Sequence, residues 1–164
     1  ICDALGVTAP KGEDYSRIQS ERPFYGVYYG QAALPMEPDT LTWLENETLR
    51  QCAVYDYETG KTGTVYDTAK LTESRDPYDV FLSGARALLT IENPNAKTDR
   101  ELIVFRDSFG SSMVPLLLED YAKVTLVDIR YVSSAKLDSF LDFHGQDVLF
   151  LYSTLVLNNS ASLK

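Results

Sequence analysis

Leu102-Ile103-Val104-Phe105-Arg106-Asp107-Ser108-Phe109-Gly110-Ser111-Ser112 is the stretch whose reading decides the fold. An uninterrupted apolar run, as expected of a strand buried on both faces, stops at an Asp-Ser pair. A helix-compatible pattern follows from Ser111 to Tyr121, with Met113, Val114, Leu116, Leu117 and Leu118 apolar. Pro115 falls in the first turn if that helix starts at Ser112, where its missing N–H costs little. The next strands are Lys123 to Asp128 and Asp147 to Tyr152, the latter read as buried. Between them a second helix is predicted from Ser134 to Phe143, with Leu137, Phe140 and Leu141 facing inward. This alternation predicts a βαβαβ unit with a parallel sheet and right-handed crossovers.

Upstream, from Val7 to Asp99, the chain is rich in turns and short strands. Thr8 to Arg22 is polar, contains Pro10 and Gly12, and reads as a surface loop. Phe24 to Gly30 reads as a bent strand or rim segment. Thr40 to Leu44 and Gln51 to Tyr57 are strand candidates. Asp56 to Lys61 carries a turn signal, and Thr62 to Tyr66 would return as a hairpin partner. Tyr78 to Leu82 and Ala87 to Glu92 read as two further strands around Ser83-Gly84-Ala85-Arg86. Ile1 to Leu5 followed by Gly6 reads as the last turn of a helix with its glycine stop, so the chain is expected to be a piece of a longer protein.

Composition narrows the function. With 164 residues, 45% hydrophobic, the chain can bury a real core. Its net charge of −9 makes nucleic acid and anionic lipid unsuitable partners. No run approaches the roughly 18 apolar residues of a membrane span. Cys2 and Cys52 read as free thiols or one bridge, with free thiols preferred. No Cys or His cluster has metal-ligand spacing, and no cofactor is implied.

In an α/β sheet, sites form at the carboxyl ends of strands, near the point where strand order reverses. Arg106 to Ser112, Asp128 to Tyr131, the end of the Asp147 strand and the Gly84 loop should meet there. Ser108 is then the candidate nucleophile. Gly110 would let backbone approach an oxyanion, with free N–H groups at the following helix start as donors. The plainer reading is that Asp107 or Ser108 caps that helix. His144 lies between the second helix and the last strand, hence at the opposite edge of the sheet. A five-residue strand spans about 16 Å, against the roughly 3 Å that proton transfer needs. Asp128 and Arg130 should share one face by alternation, with Ile129 on the other. They read as a structural ion pair, or as a clamp on the motif loop or an anionic substrate group.

Arg106-Asp107-Ser108-Phe109, Val127-Asp128-Ile129-Arg130-Tyr131 and Asp147-Val148-Leu149-Phe150-Leu151-Tyr152 resemble the C-terminal part of the DHHW family. Ile1 to Thr8, Phe24-Tyr25-Gly26 and Val80-Phe81-Leu82-Ser83-Gly84 extend the resemblance along the chain. That family is related to SGNH (GDSL-type) hydrolases and to alginate O-acetyltransferases. The resemblance implies an α/β, three-layer SGNH-like fold with a mainly parallel sheet, plus antiparallel strands in the N-terminal part. It implies one domain over residues 1–164, incomplete at its N-terminus, with a strand-rich part over 1–99 and the βαβαβ part over 100–164. Ser108 takes the nucleophile role. The Asp-His-His-Trp motif that would supply acid and base lies upstream of the helix ending at Gly6. Where relatives place an Asn after Gly84, suited to an oxyanion hole, this chain has Ala85-Arg86, and Arg86 would bind an acidic group or stay solvated. The implied activity is cleavage or transfer of an O-acetyl group on a cell-envelope or extracellular polysaccharide, with this chain alone inactive. The alternative is a non-catalytic glycan-binding or structural module. A receiver-like signalling domain is a third reading, opposed by the lack of a suitable acidic pair and late-strand lysine.

Overall fold

A computed structural model describes residues 1–26, 29 and 35–163. Among these, eight strands form two sheets: β1 (Ser16–Phe24), β2 (Asp39–Glu45), β3 (Ala53–Asp56), β4 (Lys61–Gly63), β5 (Leu88–Glu92), β6 (Glu101–Arg106), β7 (Lys123–Val127) and β8 (Asp147–Leu151). β1 and β2 make an antiparallel ribbon. The other six run in the order β4-β3-β5-β7-β6-β8.

The architecture is mixed α/β, and the large sheet is mixed rather than mainly parallel. Only β6 with β7 and β6 with β8 pair parallel, whereas β4-β3, β3-β5 and β5-β7 are antiparallel. The expected strand–crossover–strand unit is present in β6, β7 and β8. The short strands before it join the same sheet, and β5 enters alongside β7 in the opposite direction. A tight reversal suffices for antiparallel neighbours, so nothing forces the N-terminal strands into the parallel set.

Several segments depart from expectation. Ser16–Phe24 is a strand, not a loop, because it pairs along β2, with its register shifting between Gln19 and Pro23. Most of the Phe24 to Gly30 segment lies outside the described residues. Gln51 ends an unforeseen helix, Glu47–Gln51, capped by the Asn46 side chain accepting from Leu49 N–H. Tyr78 to Leu82 is not a strand. Asp76 accepts from the Tyr78 N–H and starts a 3-10 turn, Pro77–Val80, leaving one bridge between Tyr66 and Phe81. The helix predicted from Ser111 to Tyr121 is a short α-helix, Phe109–Met113, followed by a 3-10 segment, Val114–Asp120, that begins at Pro115's missing donor. The second crossover is only a 3-10 turn, Ser134–Ser139.

The two faces of the sheet are therefore covered unequally. On one face Leu102, Val104, Val124, Leu126, Leu89 and Ile91 pack against Val114, Leu117, Leu118 and Tyr121 from the first crossover, and Leu41, Trp43 and Leu49 join them. Each such fully buried Leu contributes about 1.5–3 kcal/mol. On the other face, Leu88, Ile103, Phe105 and Val127 are covered mainly by Leu137, with Ile129, Val132, Leu141 and Tyr152 at the margin. The expected third layer is thus thin, and Phe140 stands exposed rather than inward. β8 is an edge strand and not a buried one: Phe150 is 67% exposed although it stacks on Phe105. Cys2 and Cys52 are both free thiols. Among the described residues no helix is long and apolar enough to cross a membrane.

Candidate active site

Register places Leu88, Val127, Phe105 and Phe150 in one row across β5, β7, β6 and β8. Every loop beyond that row opens on one edge of the sheet. Arg106 to Ser112 leaves β6 there, Asp128 to Tyr131 leaves β7, and the residues after Leu151 leave β8. The Gly84 loop enters there ahead of β5. The strand ends foreseen as meeting do meet.

Ser108 occupies the turn between β6 and the helix Phe109–Met113, with φ −61° and ψ −25°. It is exposed, and its hydroxyl makes no hydrogen bond among the described residues. Asp107, 2% exposed, does the capping: its Oδ1 accepts from the Phe109 N–H at 3.0 Å, and its Oδ2 from the Ser153 N–H at 2.7 Å. The Asp107 N–H donates to the Leu151 carbonyl at 3.3 Å. The turn is thus tied to both ends of the loop entrance after β8.

The free N–H groups expected at the helix start are not free. Phe109 donates to Asp107 Oδ1, Gly110 to the Asp107 carbonyl and Ser111 to the Ser108 carbonyl. The Ser108 N–H alone in this turn has no partner among the described residues. Gly110 serves a different close approach from the one expected. A Cβ there would lie 2.7 Å from Arg106 Cβ, so the helix can start only where the glycine lets the arginine stem pass.

Arg106 is the buried foundation of the turn. It is 1% exposed, and its Nη1 donates to Ser111 Oγ at 3.0 Å. Burial pulls its guanidinium below the ordinary arginine value, while the Asp128 carboxylate opposes that shift. Asp128 is fully buried and is gripped by Arg130, whose Nε and Nη2 donate to its two oxygens at 2.8 and 2.6 Å. That fork holds the Arg130 guanidinium above its ordinary value. The pair forms as anticipated, but not through strand alternation. β7 has ended, and a turn closed by Tyr131 and Val132 N–H groups on the Asp128 carbonyl brings the two side chains together. Ile129 packs into the thinner core, as its apolar character requires.

The Gly84 loop is bent through three successive left-handed residues, Leu82 (φ 55°), Ser83 (φ 57°) and Gly84 (φ 88°). A side chain at Gly84 would overlap the Asp79 carboxylate. Arg86 points away from Ser108: its Nε lies 2.9 Å from Asp56 Oδ2, out of line for a hydrogen bond. Its carbonyl accepts from Arg106 at 3.4 Å. A cavity of about 300 Å³ opens on the far side of this loop, lined by Lys61, Asp67, Lys70, Ser83 and Arg86 among others.

His144 lies at the other end of the sheet. It is bonded to Gln146, whose side chain donates to Glu101, the first residue of β6. The length of β6 separates it from Ser108, on the order of 20 Å. Tyr78, which the sequence reading had put in a strand, is brought to the site: its phenol oxygen is 3.0 Å from the Ser108 carbonyl and 2.8 Å from Ser112 Oγ. The Asp76-Pro77 pair was the local cue, since Asp before Pro starts such turns.

The DHHW protein family model matches residues 11–127. Among solved structures, a DHHW family protein from Eubacterium siraeum DSM 15702 shares 24% identity at a TM-score of 0.68, over 94% of this chain and 53% of that one. Bacillus cereus PatB1 aligns at 18% identity and TM-score 0.66, over 90% of this chain and 51% of its own. PatB1 with a sulfonyl adduct aligns at 19% and 0.63, over 90% and 49%. These likenesses carry the fold, and the chain spans about half the length of the structures it matches. No curated protein matches the sequence. With the family model covering most of the chain and the strand-turn-helix around Ser108 in place, the chain belongs to the DHHW protein family.

Proposed function

We propose that this chain forms the serine-bearing part of an SGNH-like domain that cleaves or transfers acyl groups, with O-acetyl esters of a cell-envelope or extracellular polysaccharide as substrate. The observation that carries this reading is the Ser108 turn. It presents an exposed hydroxyl beside an unpartnered N–H, and the surrounding donors are all consumed in holding it. The hydroxyl would attack the acyl carbon, and the Ser108 N–H would stabilise the developing oxyanion. The base must come from outside residues 1–164, because His144 stands at the far edge. The PatB1 structure with a sulfonyl adduct supports the reading, since sulfonyl reagents trap activated nucleophiles.

The reading is tested on the full-length polypeptide. Phenylmethanesulfonyl fluoride should add one sulfonyl group to Ser108, and hydrolysis of p-nitrophenyl acetate should vanish in Ser108→Ala. An unlabelled Ser108 with no esterase activity would overturn it. The 164-residue chain alone should show negligible turnover. A non-catalytic glycan-binding or structural module is favoured by one observation: the loop after Gly84 offers Ser108 no side-chain amide, Arg86 being engaged with Asp56.

A further inference from the structure

We infer that Tyr78 is a positioning residue for Ser108, an inference that rests on the acyl-transfer reading above. Asp107 braces the Ser108 turn from inside the sheet, toward β8. That brace does not reach the Ser108 carbonyl, whose backbone partner is the Ser111 N–H at 3.1 Å, within the same turn. The Tyr78 phenol meets it there, 3.0 Å from the carbonyl oxygen and 2.8 Å from Ser112 Oγ, spanning the first turn of the helix from outside. A phenol has one proton: given to the Ser108 carbonyl, it leaves the 2.8 Å contact to be made by the Ser112 hydroxyl donating to the Tyr78 oxygen, in preference to the Phe109 carbonyl at 3.3 Å.

The phenol is itself held by tertiary structure. Its ring lies between Phe24, at 6.4 Å between centroids, and Phe81, at 4.9 Å. Its backbone N–H is fixed by Asp76 at 2.9 Å. The segment before it is gripped by Arg22 of β1, whose guanidinium donates to the carbonyls of Leu71, Ser74 and Arg75. Burial pushes the phenol above its ordinary value, so it stays a proton donor across the neutral range. Two anchors on opposite sides, Asp107 and Tyr78, then fix where the Ser108 hydroxyl and N–H point. Losing one lets the turn rotate, and small misalignments of a nucleophile are costly in rate.

Tyr78→Phe removes the donor and keeps the ring between Phe24 and Phe81. In the 164-residue chain, amide exchange across Ser108 to Ser112 should quicken about five-fold, with β8 unchanged. In the full-length polypeptide, kcat for p-nitrophenyl acetate should fall about five-fold, with KM and melting temperature unchanged. A merely structural role would lower the melting temperature and leave kcat per folded molecule intact, which would overturn the inference, as would unchanged exchange. If the unaltered protein shows neither turnover nor a sulfonyl adduct, the acyl-transfer reading fails and the positioning role goes with it. Unaltered turnover in Tyr78→Phe beside a labelled Ser108 sinks the Tyr78 inference alone.

Discussion

Asp107 Oδ2 accepts the backbone N–H of Ser153 at 2.7 Å, so the turn that displays Ser108 is fastened to the loop leaving the neighbouring strand. The same carboxylate caps the helix that follows Ser108. Asp107→Ala strands two N–H groups at once, at a cost of about 1–3 kcal/mol each where they are buried. Chemical denaturation should show a loss of at least 1–2 kcal/mol, and Asp107→Asn, which keeps one acceptor, should lose less. Equal stability in both variants would contradict the double role.

Arg130 is the counter-charge of a carboxylate with no exposure of its own. Removing one partner of a buried pair costs about 3–5 kcal/mol. Arg130 is a quarter exposed, so Arg130→Ala should fall near or below the lower end of that range. The thermal transition and any activity of the full-length protein should decline together. Lost activity at an unchanged melting temperature would instead give Arg130 a role in substrate binding.

Gly110→Ala places a methyl group 2.7 Å from Arg106 Cβ. Arg106 is buried and held by Ser111, so it has little room to yield. Overpacking of this kind costs about 1–3 kcal/mol. A stability curve for Gly110→Ala superimposable on that of the unaltered chain would show that the helix start can shift.

Glu119 collects three donors: Lys97 at 2.6 Å, Asn46 at 2.8 Å and Tyr15 at 3.2 Å. The Lys97 hydrogen bond leads in holding its carboxyl below the ordinary value of 4.5, against an opposing push from burial. A depressed folded value means that the stabilisation is complete above 4.5 and fades as pH falls through the folded value. The stability gap between the unaltered chain and Glu119→Gln should therefore be widest near neutrality and shrink below that pH. Urea titrations at a series of pH values measure it, and a gap that grows on acidification would reverse the sign.

Phe150, 67% exposed on an edge strand, leaves a flat apolar rim beside Val148. Edges of that kind invite pairing with other strands. The 164-residue chain should self-associate at high concentration, and Phe150→Glu should reduce this in light scattering while giving up the ring's stacking on Phe105. Identical scattering from both would show that the rim is inert.

The sequence by itself determined where the buried strands of the βαβαβ unit lie and where the reactive-looking serine sits. Leu102 to Phe105 is an unbroken apolar run and Lys123 to Val127 is rich in β-branched residues, and both form strands of the large sheet. The separation of His144 from Ser108 also followed from chain direction alone. Membership of the DHHW family was legible in the ordered motifs.

Only the tertiary structure decided the rest, because pairing and packing are non-local. Nothing within Leu88 to Glu92 says that it will run antiparallel to β7 and turn a parallel sheet into a mixed one. Apolar spacing around Leu137 looks like a helix, but the segment closes as a 3-10 turn and leaves one face thinly covered. The N–H groups after Ser108 read as free donors until Asp107 is seen to fold back on them. Tyr78 lies 30 positions from Ser108 and reaches it because Phe24 and Phe81 flank its ring and Arg22 grips the segment before it. Local periodicity fixes the elements, whereas the partners of each polar group at the site are chosen by the rest of the chain.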